Sequence, residues 1–240
     1  MMNLLKYQFR KLFTSAWLYA MLVAVLMQNV LSVVSEAKSG YEFFDWITRF
    51  DSLKFITFGL AAVVPLIACN DYASGANKTI LSRGYSRTQN FFAKLLICLV
   101  VNFVVCLLEI ALVLLCGSIF FAKRSSVQAI GEIAYMYFLC VFVMTGYTCV
   151  YFGVAEAVGK SVIAIIVNFA GMFLLGAVAL GLSEPLKFDL SRYLLDIMMG
   201  NIHYLPLKAK YVTDVWICIP CYSAAALGAG YLFAIKREAK

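Results

Sequence analysis

The chain has 240 residues, of which 63% are hydrophobic and 14% are charged, and its formal net charge is +7. Globular domains average about 45–50% apolar and about 25% charged residues, so this composition excludes an ordinary soluble domain. The apolar residues fall into blocks of about 20, the length of a helix that crosses a bilayer. Basic residues flank these blocks, which indicates contact with lipid headgroups rather than with nucleic acid.

The N-terminal segment, residues 1–14, is amphipathic. Leu5, Phe9 and Phe13 recur every four positions, and basic residues occupy the other faces. This spacing predicts a helix that lies in the membrane interface, and a basic flank that only sets orientation is the alternative. The apolar block 16–34 is longer than the core of a signal peptide, and no small-residue cleavage site follows it. We therefore expect the first membrane span at 16–34.

The later apolar blocks predict five more spans, so the expected fold is an all-α polytopic membrane protein with six transmembrane helices in a single domain, 1–240. These spans are expected at about 53–69, 92–121, 130–154, 162–182 and 215–235. The segment 183–214 is amphiphilic and Met-rich, which predicts one or two external helices partly sunk in the interface. Six spans place both termini on one side. Slightly more than half of the lysines and arginines lie there, so we expect both termini in the cytoplasm.

The most polar internal segment, 70–90, joins the second and third spans, and its residues predict a short cytoplasmic helix. Asp71 or Ser74 is a suitable cap for its start. Gly84 is suited to end it in a left-handed conformation, and Ser86 to cap the following helix.

Two apolar residues of this short helix, Ile80 and Leu81, form a small hydrophobic knob between polar neighbours. Such a knob is suited to dock in a groove of a soluble partner and to transmit a push to the helices on both sides. A plain solvated loop is the alternative that the residues alone leave open.

The segment 70–90 resembles the cytoplasmic coupling region of ABC-2-type transporter permeases. The shared features are an acidic–aromatic pair, a glycine, and a Leu-Ser-x-Gly-x-Ser-Arg run that leads to a lysine in the third helix. Here they are Asp71, Tyr72, Gly75, Leu81, Ser82, Arg83, Gly84, Ser86, Arg87 and Lys94. With Lys78, the residues from Asp71 to Arg87 in this set are the expected ATPase-coupling residues. The order of interfacial helix, spans, coupling segment and external segment is similar over nearly the whole chain.

The resemblance implies a function and partners. It implies a permease of the bacterial plasma membrane in which two copies of the chain pair and two separate ABC-type ATPase subunits dock at the coupling segments. ATP and magnesium would be held by the ATPase, and this chain would bind no cofactor. Families of this kind export bacteriocins, phenol-soluble modulins and other amphipathic peptides, bacitracin-like antibiotics, or sodium. We favour an amphipathic peptide, because the external segment and the aromatic loops offer apolar surface near the exit.

The sequence contains no catalytic or metal-binding motif, so no enzymatic activity is expected of this chain. The nearest match to a phosphate-binding loop, from Gly153 to Ser161, has one residue too many and joins two spans. His203 is the sole histidine. Cys218 and Cys221 have redox spacing but open an apolar span, where packing is the better interpretation.

Acidic and basic residues within the spans are the other candidates for function. Glu109 lies near the middle of the third span, where charge is costly and ionisable groups usually face protein or water. It either lines a translocation path, together with Glu132, or is bonded to a neighbouring helix. Glu132 and Glu156 lie near span ends and are expected to reach water, and Lys94 to extend to the headgroups.

Two other functions fit the same sequence. A self-contained ion-coupled transporter or channel would use Glu109 as its titrating group, although no inverted repeat is detectable. A scaffold that transports nothing is the third possibility.

Small residues recur in the last two spans. Gly171, Gly176 and Gly181 lie in the fifth span, and Ala224 and Gly228 form a small-xxx-small pair in the sixth. Such residues allow helices to approach closely, so we expect them at helix contacts within the chain or between two copies.

Overall fold

A computed structural model describes residues 2–36, 52–120, 130–186, 189–202 and 207–236. These residues form nine α-helices and one 3-10 turn, and they contain no strand. The helices in chain order are α1 Met2–Phe13, α2 Ala16–Glu36, α3 Ser52–Ala73, α4 Ala76–Ser82, α5 Arg87–Phe120, α6 Ile130–Val158, α7 Ser161–Leu186, α8 Leu195–Ile202 and α9 Ala209–Lys236, and the 3-10 turn is Ser191–Tyr193. Most of the polar stretch 35–51 and His203 lie outside the described residues.

Six of these helices, α2, α3, α5, α6, α7 and α9, are long and apolar enough to cross a membrane. The chain is thus an all-α polytopic membrane protein, as the sequence predicts. The helices extend beyond the expected spans at several ends, because polar residues continue the helix past the apolar block. Helix α5 begins at Arg87 and α9 begins at Ala209.

Helix α6 is the centre of the bundle, since 67% of its span is buried inside the protein. It contacts α3, α5, α7, α8 and α9. Helix α7 is peripheral, with 17% of its span buried. Side chains such as Phe173 and Leu174 are exposed along it, which suits contact with lipid.

The closest helix contact joins α6 and α9 through glycines. A Cβ atom built on Gly153 would lie 2.3 Å from the carbonyl oxygen of Ala226, and one on Gly230 would lie 2.8 Å from the Cα of Gly153. The two backbones therefore touch. Ala226 and Gly230 are the residues of α9 at this contact. Ala224 and Gly228 each lie two positions earlier, which is about 200° around the helix, so they face away from α6 and are exposed.

The glycines of α7 have no close neighbours in the described part of the chain. A Cβ on Gly171, Gly176 or Gly181 would meet nothing within 4 Å. The expected contact at these three glycines therefore does not occur among the described residues.

The segment 183–214 is more buried than expected, at the positions that the structure describes. Helix α8 is the one α-helix that the described residues form between α7 and α9. Its residues Met198, Met199 and Ile202 are at most 2% exposed, because they pack into the bundle. The expected Met-rich surface is therefore wrong for these residues. Arg192 of the 3-10 turn forms an ion pair with Asp214 of α9.

Candidate functional site

The segment 70–90 folds as predicted at its C-terminal end. Gly84 has a φ of +85° and its amide donates to the carbonyl oxygen of Leu81, which ends α4 in the left-handed conformation. Ser86 caps α5 in a reciprocal capping box. The amide of Gln89 donates to Ser86 Oγ at 3.1 Å, and the amide of Ser86 donates to Gln89 Oε1 at 3.0 Å.

The start of α4 differs from the prediction. Gly75, with a φ of +70°, is the N-cap and makes no side-chain capping bond. The expectation that Asp71 or Ser74 caps this helix is wrong, because Asp71 still belongs to the last turn of α3. The hydroxyl of Ser74 donates instead to the carbonyl oxygen of Asn70.

Asp71 connects α3 to the interfacial helix α1. Its side chain is fully buried and forms an ion pair with Lys11. Gln8 Nε2 donates to the second carboxylate oxygen at 2.8 Å. Since both partners lie on α1, this carboxylate fixes α1 against the end of α3.

Tyr72, the neighbour of Asp71, belongs to a second buried cluster that joins three spans. Lys94 Nζ of α5 donates to Glu156 Oε1 of α6 at 3.3 Å and to the carbonyl oxygen of Ala68 in α3 at 2.9 Å. The Tyr72 hydroxyl donates to Glu156 Oε2 at 2.6 Å. Its ring lies 4.1 Å from the Lys94 ammonium, within the range of a cation–π contact.

This cluster corrects two predictions. Lys94 is 0% exposed, so it does not extend to the headgroups, and Glu156 is 1% exposed, so it does not reach water. The Lys94 ammonium and the Glu156 carboxylate neutralise each other, so the attraction between them replaces their contacts with water. Such a pair is stable when buried if its remaining donors and acceptors are also hydrogen-bonded.

The inner face of α4 lies on α1 and α5. Ile80 is 7% exposed and clusters with Leu4 of α1 and Ala93 of α5. Asn90 Nδ2 donates to Asn77 Oδ1 at 2.8 Å, which joins α4 to α5 by a polar bond. The prediction that Ile80 faces outward as part of a hydrophobic knob is therefore wrong, because its side chain packs inward and holds α4 in place. Leu81 is half-exposed.

The outer face of α4 and its C-terminus is polar. It consists of Lys78, Thr79, Ser82 and Arg83, all of which are exposed. We call these four residues the outer face of α4. This surface carries two positive charges and is available to a partner.

A groove of about 420 Å³ lies beside the contact of α4 with α1. Its walls are formed by Asn3, Leu4, Tyr7, Ala76, Thr79, Ile80, Arg83 and Tyr85. Partial burial and the charge of Asp71 raise the pKa of the Tyr7 phenol, against the opposing effect of Arg83. The phenol therefore remains neutral at the rim of the groove, where it is able to donate a hydrogen bond.

Arg87 and Thr88 tie the start of α5 to the end of α9. The guanidinium of Arg87 donates to the carbonyl oxygen of Ile235. The hydroxyls of Thr88 and Tyr231 lie 3.2 Å apart. Arg87 thus uses at least one of its five donors within the chain.

Glu109 and Glu132, the two candidates for a translocation path, lie in different surroundings. Glu109 is 1% exposed, and Asn29 Nδ2 of α2 donates to its Oε2 at 2.7 Å. This contact matches the expected bond to a neighbouring helix. Glu132 is exposed in the first turn of α6, as expected of a span end.

Sequence reasoning missed several members of the polar networks. The sequence does not identify Gln8, Lys11, Asn77 or Asn90 as members of these networks, and it predicts that the Glu156 side chain reaches water. One usable signal was present: polar residues inside or beside apolar helices require partners. The identity of those partners depends on which helices are neighbours, which hydropathy does not reveal.

No metal centre is present among the described residues, since no three His, Cys, Asp or Glu side chains lie close enough to hold an ion. Within the described residues, no disulfide joins any of the eight cysteines.

The chain matches no protein-family model and no curated protein. Its class therefore rests on the fold: a polytopic α-helical membrane protein. The six apolar helices fit the membrane component of a transporter.

Proposed function

We propose that this chain is the membrane-spanning subunit of an ATP-binding-cassette exporter of the ABC-2 type. Two copies pair in the bacterial plasma membrane with both termini in the cytoplasm. Two ATPase subunits, which hold ATP and magnesium, dock at the outer face of α4. The observation that supports this proposal best is the attachment of α4. Its inner face is bound to α1 and α5, while its outer face is polar and exposed.

The bonds around α4 form a route for force. The Asn77–Asn90 bond joins α4 to α5, and the Lys94–Glu156 pair joins α5 to α6. Since the linked groups are buried or partly buried, displacing α4 requires either breaking costly contacts or moving the spans with it. A push from a partner would therefore reach the centre of the bundle.

The test of docking is a charge reversal on the outer face of α4. We expect a gene for an ABC-type ATPase beside this one, and co-expression to yield a complex. The Lys78→Glu, Arg83→Glu variant should bind the ATPase on the order of tenfold more weakly, since two contact charges are reversed. The matched control is Lys208→Glu, Lys210→Glu, which reverses two exposed charges before and within the first turn of α9. Equal binding by both variants would contradict the coupling role.

The cargo that we propose is an amphipathic peptide. Helices α6 and α9 expose an aromatic group formed by Tyr135, Phe138 and Trp216, with Phe142 behind it. Trp216 Nε1 donates to the Tyr135 hydroxyl at 3.2 Å. Aromatic rings of this kind suit the apolar face of a peptide, and they also suit the membrane interface.

The cargo is tested in proteoliposomes that contain the chain and its ATPase. ATP should drive accumulation of a labelled amphipathic helical peptide but not of a scrambled peptide with the same composition and no apolar face. Accumulation of both peptides, or of neither, would contradict the cargo.

The ion-coupled alternative has weaker support. The hydrogen bond from Asn29 joins α2 to α5 and gives Glu109 a structural role, which explains a carboxyl group within the span without ion transport. It makes a distinct prediction: proton or sodium flux without ATP that is lost in Glu109→Gln. Flux that is lost in this way would replace the exporter proposal.

A further inference from the structure

A second pocket lies on the same side of the bundle as α4 and is lined by other residues of α1. It has a volume of about 140 Å³ and lies between α1, α3 and the start of α7. Lys11, Ser15, Asn70 and Ser161 provide polar walls, and Trp17, Leu66 and Ile67 provide apolar ones. No part of the proposed ATPase-docking role uses this pocket.

The polar walls offer several hydrogen-bond donors. Within the described ranges, the hydroxyls of Ser15 and Ser161 make no hydrogen bond. The Lys11 ammonium has three donors, and Asp71 uses one of them. Lys11 is 22% exposed, so its ammonium is accessible from the pocket. Exposed Lys160 directly precedes Ser161 and adds positive charge.

The apolar walls indicate where the occupant comes from. Trp17 and Tyr19, at the start of α2, are 58% and 53% exposed, as expected of aromatic residues at headgroup depth. Leu66 and Ile67 lie one turn inside the polar end of α3, toward the hydrocarbon. A soluble anion would contact only the polar walls, whereas a lipid contacts both.

We propose that this pocket binds an anionic phospholipid of the leaflet on the N-terminal side. The phosphate would accept hydrogen bonds from Lys11, Ser15 and Ser161, and the first acyl carbons would lie against Leu66 and Ile67. The positive charges of Lys11 and Lys160 favour a net anionic headgroup over a zwitterionic one, so the pocket selects anionic lipid from the bilayer around the chain. The selection does not depend on an ATPase partner, so it should be seen with the purified chain alone.

The test uses the fluorescence of Trp17, one of three tryptophans in the chain. The full-length Trp46→Phe, Trp216→Phe variant retains Trp17 as its sole tryptophan. It is reconstituted in phosphatidylcholine vesicles that contain equal fractions of brominated phosphatidylglycerol or brominated phosphatidylcholine. We expect phosphatidylglycerol to occupy the pocket about fivefold more readily, the preference that one lysine near an anionic lipid provides, and to quench accordingly.

Removal of the positive charge tests the pocket itself. Lys11→Gln should bring the preference close to one, because the charge that favours a net anionic headgroup over zwitterionic phosphatidylcholine is lost. Lys160→Gln, at the exposed position beside Ser161, provides a second variant with the same expectation. The matched control, Lys78→Gln, neutralises an exposed lysine of α4 on the same side of the bundle and should keep the preference.

Three results would overturn the assignment. The first is equal quenching by the two brominated lipids in the unsubstituted pocket. The second is a preference that survives both pocket variants, since it would then come from general surface charge. The third is relief of quenching by millimolar glycerol 3-phosphate in the aqueous phase, which would show a site for soluble phosphate.

Discussion

Lys94 Nζ and Glu156 Oε1 lie 3.3 Å apart, with 0% and 1% of the two side chains exposed. The residues come from the third and fourth spans and meet beneath α4. The hydroxyl of Tyr72, which lies at the end of the second span, donates to the same carboxylate. Three spans are therefore held together by one carboxylate at the end of the bundle that carries α4.

Loss of this carboxylate should destabilise the fold strongly. In Glu156→Gln the Lys94 charge stays buried without its counter-charge, and we expect a loss of about 3–5 kcal/mol in the free energy of unfolding. Equilibrium unfolding in mixed micelles, with the loss of helicity as the signal, measures this free energy.

Two controls accompany Glu156→Gln. Glu132→Gln, at an exposed position, should change the unfolding free energy by less than about 0.5 kcal/mol. The double variant Lys94→Met, Glu156→Met should recover most of the loss, because apolar pairs often replace buried ion pairs at little cost. Similar values for Glu156→Gln and Glu132→Gln would contradict the buried pair.

The Asp71 carboxylate should control how firmly α1 is held. In Asp71→Asn the ion pair to Lys11 is lost and the bond from Gln8 is weakened, a change of about 1.5–3 kcal/mol for bonds to a charged group. We expect the amides of α1 to exchange hydrogen at least about tenfold faster. Mass spectrometry of peptides from α1 measures this rate. Asp189→Asn, which neutralises an exposed aspartate, should leave the exchange of α1 unchanged.

The contact of α6 with α9 should tolerate no side chain at Gly153. The Cβ of Gly153→Ala would lie 2.3 Å from a backbone oxygen of α9, so the helices must separate. Overpacking of this kind costs about 1–3 kcal/mol, and the midpoint of thermal unfolding in detergent should fall. In the control Gly171→Ala, the Cβ meets nothing within 4 Å, so stability should stay equal or rise. Equal effects of the two substitutions would contradict the close contact.

The 3-10 turn before α8 should loosen in acid. A hydrogen bond from Ser191, and then one from the Arg192 amide, hold the pKa of Asp189 below its ordinary value. A carboxyl with a lowered folded pKa stabilises the turn above its unfolded pKa, and this contribution is lost as the pH falls through the folded value. Carboxyl chemical shifts of labelled aspartate should report the low pKa. Ser191→Ala should raise it toward the ordinary value, and an unchanged pKa would contradict the assignment.

The sequence was sufficient for features that depend on local chemistry. The capping box of Ser86 and Gln89 lies within four residues, and the left-handed turn at Gly84 follows from glycine itself. The six spans follow from hydropathy, which measures each block independently of the others. All of these were readable because no distant residue decides them.

The polar networks were not readable for the opposite reason. Lys94 and Glu156 are 62 positions apart, and Lys11 and Asp71 are 60 positions apart. Each of these charged residues lies near the end of an apolar block, where side chains usually reach water. The sequence therefore predicts that their side chains are exposed. Ile80 shows the same difficulty, because an apolar residue on a short helix faces outward or inward according to what lies beneath it.

The glycine contact between α6 and α9 has a consequence for motion. At the crossing of Gly153 and Gly230 no side chain separates the two backbones, so α6 and α9 have little freedom to slide against each other there. In the export cycle that we propose, alternation between open and closed states would then occur at other helix contacts, where side chains separate the backbones. The helices α2 and α7 would move around the α6–α9 crossing, which would keep its geometry.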